Sequence, residues 1–511
     1  MTVDEESKEF LTLLAHRGFL WGPSPEIYNP LAGAFDYGPV GKQLKNKLET
    51  TLRRIFSMHE FAEVQCPLIG PERVWEASGH LERFFDHVVE CSNEKCKNTY
   101  RIDHLLAETG IPEEDYINVK PEDYLAFIKK HEITCPSCGS AFDNVIELKL
   151  MITSELGFPK KPYVLRPETA TTTYLLFPRL YTFFRRDMPI RVFQMGQAFR
   201  NELSPRNLLI RCREFEQCEG QIFITKDMEQ KFEAFYQVKH YKLRLWPAGH
   251  QEEKDTTVLD ISLEEAHEKG ILDNPAYTWL LHLGFKIAEN LGFPRDTLRL
   301  RQHQSHEKAH YANDAWDLEY HSKIFGWTEI CGIHDRGNYD LSRHQEFSNK
   351  KMKIPIPGSK ERVIPEILEI AFGVGRMFLF ILEESFMKDG ERTILDFPVH
   401  LMPTPFAVFP LQRKPPALVQ KARKIYNTIL NENIDVTYQQ RGSIGKRYRR
   451  TEEIGIRYAL TVDHQTLEDD TLTIRESITM DQKRIKVDQV LDILRGILMG
   501  DLDFSTIEEV K

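Results

Sequence analysis

The tetrad Phe199-Arg200-Asn201-Glu202, followed after a turn by Arg211-Cys212-Arg213-Glu214-Phe215, constrains this chain more than any other segment. It reads as a strand, a loop and a returning strand, with cations, a carboxylate and an aromatic ring set along one hairpin. An arginine there can meet a phosphate, the ring can stack on a base, and the glutamate can accept from an exocyclic amine. A hairpin so equipped holds a nucleotide. An ordinary charged hairpin has the same composition, so the decision between the two readings falls to segments elsewhere in the chain.

Upstream, Val40, Leu44, Leu48, Leu52, Ile55 and Phe56 recur at helical spacing, which gives the 41–57 stretch one apolar face. A short strand, Phe61 to Cys66, and Pro67 follow. Downstream, Glu369-Ile370-Ala371-Phe372-Gly373-Val374-Gly375-Arg376 is an apolar strand entering a glycine turn, with Arg376 opening a helix over Met377 to Glu384. Glycines there let backbone approach a ligand closely. In this order the helix, the hairpin and the glycine turn resemble motifs 1, 2 and 3 of the class II aminoacyl-tRNA synthetases. Further blocks narrow the resemblance: Arg166-Pro167-Glu168-Thr169-Ala170, Phe35 to Pro39, Trp75 to His80, Gly326-Trp327-Thr328-Glu329-Ile330 and Arg441 to Arg450. Together they are similar to the dimeric glycyl-tRNA synthetases, from near the N-terminus to about residue 495.

The resemblance implies an α+β protein. A class II catalytic domain built on an antiparallel sheet would span 1–400, interrupted by a zinc-binding insertion at 91–150 and a helical insertion at 226–300. A C-terminal α/β anticodon-binding domain would span 401–511. Pro403, Pro405 and Pro410 punctuate the boundary. Helix signals lie at Asp103–Glu108, Glu122–His131 and Tyr277–Asn290, and past 400 short strands alternate with amphipathic helices. The implied activity is ATP-dependent attachment of glycine to its tRNA through a glycyl-adenylate, with Mg2+ bridging phosphate oxygens, in a homodimer. Carried onto this chain, the catalytic pair is Arg200 at the α-phosphate and Arg376 at the γ-phosphate. Asn201, Glu202, Arg211, Cys212, Phe215, Glu329 and Ile330 complete the ATP set.

Glycine recognition is a problem of exclusion, because a hydrogen side chain offers no handle. Carboxylates that bind the ammonium also fill the volume a larger side chain needs. Glu168, Glu219 and Glu369 match the family's acidic positions, and Ala371, two residues past the third, stands beside them in the glycine set. Three acids in one small site repel one another and raise some pKa values unless a cation sits between them. The chain departs from the family here. Ala371 replaces a serine, Thr171-Thr172 replaces Gln-Gly, and Glu216 adds an acid. These changes keep a second reading open, a class II paralogue with altered amino-acid specificity or a non-catalytic role.

A net charge of −10 argues against a nucleic-acid partner only globally, since phosphates are met by local patches. Lys446, Arg447, Arg449 and Arg450, with Tyr448 among them, form such a patch in the presumed anticodon-reading domain and are expected at the tRNA. Of eight cysteines, Cys91 and Cys96, then Cys135 and Cys138, are paired at metal-ligand spacing. In a reducing compartment that favours tetrahedral structural zinc over disulfides, with His87 or His104 as an alternative fourth ligand. The acidic start lacks the marks of a signal or transit peptide, and no run of about 18 apolar residues occurs, so a cytoplasmic protein without a membrane span is expected. His306-Glu307-Lys308-Ala309-His310 matches H-E-x-x-H. On a helix it would present two imidazoles to zinc, with Glu307 as base and Glu329 as a third ligand, as in a metalloprotease. The surrounding stretch, Arg301 to Asp314, already resembles a synthetase block, which sets that reading behind the first.

Overall fold

The computed structural model describes residues 5–510 except 108, 112, 117–118, 204, 206, 309–311 and 357–358. The expected helix end at Glu108 and the first four residues of the acidic start lie outside the described residues.

The hairpin forms as its pattern requires. The strands Ile190–Phe199 and Glu214–Ile224 pair antiparallel, with Ala198 opposite Phe215 and Gln194 opposite Glu219. Around them stands a nine-stranded sheet. From one edge it runs Leu259–Ser262, Lys242–Trp246, Leu298–Gln302, Asp314–Ser322, Gly326–Gly337, Glu366–Gly373, Glu214–Ile224, Ile190–Phe199 and Ala62–Glu63. Only the contacts of Ala62–Glu63 and of Lys242–Trp246 with Leu298–Gln302 are parallel. The upstream strand expected over Phe61 to Cys66 is thus reduced to a two-residue edge.

One face of the sheet is apolar and the other carries charge, as period-2 alternation dictates. Ile222, Ile330, Ile333, Ile370 and Phe372 point to the apolar face and are fully buried. The helix Pro39–Met58 covers part of it with Leu44, Leu48, Leu52 and Phe56, and Phe56 stacks on Phe193. The helix Pro275–Asn290 covers the rest. A Cβ at Gly284 would lie 2.8 Å from Ile333, so a glycine lets that helix sit directly on the strand.

This helix matches the expected Tyr277–Asn290, and helices make up much of the 226–300 segment, but strands interrupt them. The segment contributes Lys242–Trp246 and Leu259–Ser262 to the central sheet, with short helices between. Leu243, Leu245 and Ile261 are buried beside Leu300, and that burial draws a helix-rich composition into the sheet.

The 91–150 segment folds on its own small core, with the strands Phe85–Cys91, Thr99–Arg101 and Phe142–Lys149 in one antiparallel sheet. Past 400, a five-stranded sheet runs Val436–Tyr438, Phe406–Pro410, Tyr458–Val462, Thr471–Glu476 and Gln482–Lys486. It has a separate hydrophobic core under Pro416–Asn431 and Val490–Met499. No helix among the described residues is long and apolar enough to cross a membrane.

Candidate active site

A cleft of about 600 Å³ opens on the charged face of the sheet. The strands meet it in register. Glu219 pairs with Ala371, Ala371 with Gly332, and Glu369 with His334. Alternation then puts Phe215, Gln217 and Glu219 on the cleft side of one strand and Glu369, Ala371 and Gly373 on that of the next. On Gly326–Gly337, Glu329 and Gly332 share that side although they are three positions apart, an odd number. A bulge at Ile330 rephases the strand: Glu319 faces Glu329 but Leu318 faces Cys331.

The outer end of the cleft is cationic. Arg200 Nε donates to Pro167 O at 3.2 Å, and its guanidinium lies between the rings of Phe215, 5.1 Å, and Phe84, 5.2 Å. Arg376 donates from Nη1 to Oε2 and the backbone O of Glu329, both at 2.9 Å, and from Nε to Ile210 O at 3.1 Å. Burial would raise the Glu329 carboxyl, but the Arg376 cation holds it below the usual range. Glu202 accepts from Arg211 Nε at 2.6 Å, and its own burial raises it. Arg213 braces the hairpin by donating to Glu202 O and Ala32 O.

Two residues assigned to the nucleotide from sequence stand outside the cleft. Asn201 turns its side chain to Lys149 O, 3.2 Å, and Ile330 is buried on the opposite face because it is the bulge residue. Cys212 is at the cleft wall but buried, its thiol donating to Leu208 O.

The inner end gathers the three acids. Glu168 accepts from Thr171 Oγ1 at 2.5 Å and faces His80 Nε2 at 3.4 Å. Glu369 accepts from Tyr174 and lies 3.3 Å from His334 Nδ1 and 3.4 Å from Arg336 Nη1. Glu219 accepts from Thr169 and, at 2.8 Å, from Gln217 Nε2. A cation does sit among them. Arg336, 3 % exposed, is clamped by Asp340 at 2.9 and 3.1 Å and lies over the Tyr174 ring.

The three carboxyls therefore split. Burial works against charge on Glu168, yet His80 and Arg336 hold it well below the ordinary carboxylate range. Arg336 and then His334 overcome burial at Glu369 in the same way. Glu219 has burial and the charges of Glu369 and Glu168 against it, and is pushed up to about 8. These shifts favour the charged form of Glu168 and Glu369 and the protonated form of Glu219 at neutral pH.

The departures noted in sequence have partners here. Thr171 holds Glu168, Thr172 Oγ1 accepts from Gln194 and donates to Thr169 O, and Glu216 pairs with Lys45 of the Pro39–Met58 helix. Arg166 lies flat on Gly196, where a Cβ would come within 2.3 Å of its guanidinium, and braces the loop carrying Glu168 by donating to Gln194 and to Gln197 O. Sequence reasoning missed Arg336, His334 and Tyr174. The available signal was the run His334-Asp335-Arg336, three titratable residues closing a strand whose middle, Ile330 to Ile333, is apolar.

The four paired cysteines converge. Their sulfurs all lie within 4.8 Å of one another, a span that fits one tetrahedral ion. His87 packs between Phe85 and Tyr124, and His104 faces Arg211, so neither stands in the cluster. The H-E-x-x-H reading fails on geometry. His306 and Glu307 lie in a turn, Glu307 is held by Arg301 at 2.9 Å, Glu329 is held by Arg376, and His310 lies outside the described residues.

The basic patch is corrected at one position. Helix Ile444–Glu452 exposes Lys446, Arg449 and Arg450. Arg447, one turn before buried Thr451, faces the sheet at 2 % exposure and donates to Pro410 O, Gln439 O and Leu411 O. It ties the helix to the sheet and does not reach solvent. Tyr448 is likewise engaged, bonded to Thr461 and covered by Arg475 at 4.3 Å.

Comparison with known proteins bears on the whole chain. Residues 157–385 match the family described as "tRNA synthetase class II core domain (G, H, P, S and T)", and residues 406–497 match "Anticodon binding domain". Among curated relatives, the glycine–tRNA ligase of Pyrococcus horikoshii is 36% identical over 96% of this chain and 98% of its own. That of Thermococcus kodakarensis is 35% identical over 95% and 97%, and that of Methanothrix thermoacetophila 35% over 96% and 97%. The chain therefore belongs to the glycine–tRNA ligase family, with a class II synthetase core and a C-terminal anticodon-binding domain.

Proposed function

We propose that this chain activates glycine with ATP and transfers it to its tRNA. The observation that carries the reading is the gathering of three carboxyls and buried Arg336 at one end of a cleft that Arg200 and Arg376 line at the other. The glycine carboxylate attacks the α-phosphorus, pyrophosphate leaves, and a ribose hydroxyl of the tRNA then takes the glycyl group as AMP leaves. No enzyme nucleophile is needed. The protein's part is positioning and charge stabilisation. Arg200 serves the α-phosphate and Arg376 the γ-phosphate, with Glu202, Arg211 and the open face of Phe215 around the nucleotide. Mg2+ would neutralise phosphate charge, and the depressed Glu329 carboxylate at the cleft is a suitable oxygen donor for it.

The glycine ammonium belongs among Glu168, Glu219 and Glu369. Its charge favours ionised Glu219, so binding must expel the proton that Glu219 holds below about pH 8. Glycine affinity should therefore rise with pH and level off near 8. A raised folded-state pKa also makes the empty protein less stable as pH rises from the ordinary carboxylate range towards 8, a penalty that bound glycine relieves. Its thermal upshift should grow over that window, and Glu219→Gln should flatten both trends. Amino-acid-dependent pyrophosphate exchange with all amino acids, read against pH, tests the function. Preference for alanine or serine would instead support the paralogue with altered specificity, for which Ala371 is the motive.

The cysteine cluster is read as a structural zinc site that supplies cohesion to a module with a small core. Cys91→Ser and Cys135→Ser should each release one zinc per chain and render 91–150 protease-sensitive. Zinc content unchanged by elemental analysis would refute the site. The exposed cations Lys446, Arg449 and Arg450 are read as phosphate contacts. Reversing all three to Glu should block charging of tRNA, spare pyrophosphate exchange and flatten the salt dependence of tRNA binding by about one phosphate each. Equal tRNA affinity and salt slope in variant and parent would remove the patch from the interface. Exposed Ile27, Tyr28 and Leu31 support a homodimer as the working assembly, and the reduced thiols suit the cytoplasm.

A further inference from the structure

We propose that the cysteine-bearing insertion is a working part of the nucleotide site, with Asp86, Arg101 and His104 as positioning residues for Arg211. The inference rests on the reading of Arg211 as an ATP contact.

Three groups surround the Arg211 guanidinium. Glu202 takes Nε at 2.6 Å. His104 Nε2, on the insertion's first helix, Ile102–Ala107, stands 3.3 Å from Nη1. Asp86 Oδ2, on the strand Phe85–Cys91, stands 3.9 Å from Nη2. Asp86 is itself fixed by Arg101 at 2.9 Å, and Arg101 forks onto Asp103. The return of the module is docked too, because Asn201 donates from its backbone N to Leu150 O at 2.7 Å and from its side chain to Lys149 O. Phe84, at the entrance of the module, covers the face of Arg200 opposite Phe215. The insertion, with the segment Phe84–Glu90 that leads into it, thus grips the nucleotide hairpin at both of its ends, with Phe84 on Arg200 and Asp86 and His104 on Arg211.

The strand Phe85–Cys91 gives this a mechanical sense. It carries Asp86 at one end and Cys91 of the sulfur cluster at the other, about 17 Å apart at ~3.3 Å per residue. An unsupported arginine samples many rotamers, and its planar fork is useful to a phosphate only when held. Asp86 and His104 hold it from the side away from the cleft. The module's fold, not the hairpin alone, then sets how well Arg211 meets a phosphate.

Steady-state pyrophosphate exchange by the full-length chain tests the proposal. A displacement of about 1 Å can cost on the order of 10²-fold. Asp86→Asn and His104→Ala should raise KM for ATP by roughly tenfold or more, leave KM for glycine within about twofold, and have no further effect in an Arg211→Ala background. His104→Gln, which restores an acceptor, should recover most of the loss. Should Asp86→Asn fold poorly, the His104 variants carry the test alone, since that side chain is 36 % exposed. KM for ATP unchanged in the Asp86 and His104 variants, beside a raised one in Arg211→Ala, would overturn the proposal alone. So would a loss that persists undiminished in the Arg211→Ala background. An unchanged KM in Arg211→Ala would remove the reading of Arg211 and the proposal with it.

Discussion

Arg376→Ala should lower pyrophosphate exchange by on the order of 10²–10³-fold while the protein stays folded. Arg376 sits in the first turn of the helix Val374–Ser385, at the end of the strand that carries Glu369 and Ala371. Three acceptors fix its guanidinium: Ile210 O, Glu329 O and Glu329 Oε2. It is therefore oriented before any ligand arrives, and a preoriented cation is worth most where charge develops during reaction. The structural cost of removing it is small. Its side chain is 30 % exposed and that of Glu329 is 44 % exposed, so water can solvate the carboxylate left behind. Arg376→Lys should be intermediate, because it keeps the charge and loses the planar fork. Exchange near the parent rate in Arg376→Ala, with the fold intact by melting, would sink the role assigned to this arginine.

Arg336→Met should cost about 3–5 kcal/mol of stability and abolish glycine activation, since removing one partner of a buried ion pair strands the other. Asp340 and Glu369 are both buried against Arg336, and the same cation helps to hold Glu168 ionised. The sign with pH follows. In the parent, Glu369 is depressed, so its contribution is present above the ordinary carboxylate range and is lost as pH falls through its lowered value. Without Arg336 its pKa would rise, and the variant would lose stability as pH increases. The gap between variant and parent should thus narrow on acidification. Denaturant unfolding of both proteins at two pH values measures it. Equal stability at neutral pH, or a gap that widens in acid, would show that Arg336 does not neutralise this pocket.

The two positions differ in how far the sequence foretold them. Arg376 was legible because its setting is local: an apolar strand, a glycine turn and the first turn of a helix are consecutive in the chain. Phe215 and Glu202 were legible for the same reason, being two arms of one hairpin. The acids Glu168, Glu219 and Glu369 were named through the resemblance and their repulsion was expected to raise some pKa values, but which of them stays ionised was not foreseen. It depends on Arg336 and His334 of the strand Gly326–Gly337 and on His80 of the Trp75–His80 block.

Helical periodicity found Pro275–Asn290 and missed its neighbours. A short strand is decided by what it packs against, and Leu243 and Leu245 have too short a pattern to declare that partner. Spacing alone grouped Cys91, Cys96, Cys135 and Cys138, because paired ligands on tight turns are a local feature. Charge alone grouped Lys446, Arg447, Arg449 and Arg450. It could not separate Arg447, whose burial is set by the carbonyls of Pro410, Leu411 and Gln439 on two other segments.

What the sequence by itself determined is the set of chemical groups and the local elements that carry them. Turn, hairpin and helix depend on residues within a few positions of one another, and those constraints are written consecutively. What only the tertiary structure decided is which distant groups share a dielectric environment. Arg336 meets Glu369 across 33 positions and Arg211 meets His104 across 107, through strand register and through the docking of a module. Ionisation depends on the distance between charges and on their exposure to water. Neither quantity exists until the sheet has closed over its core.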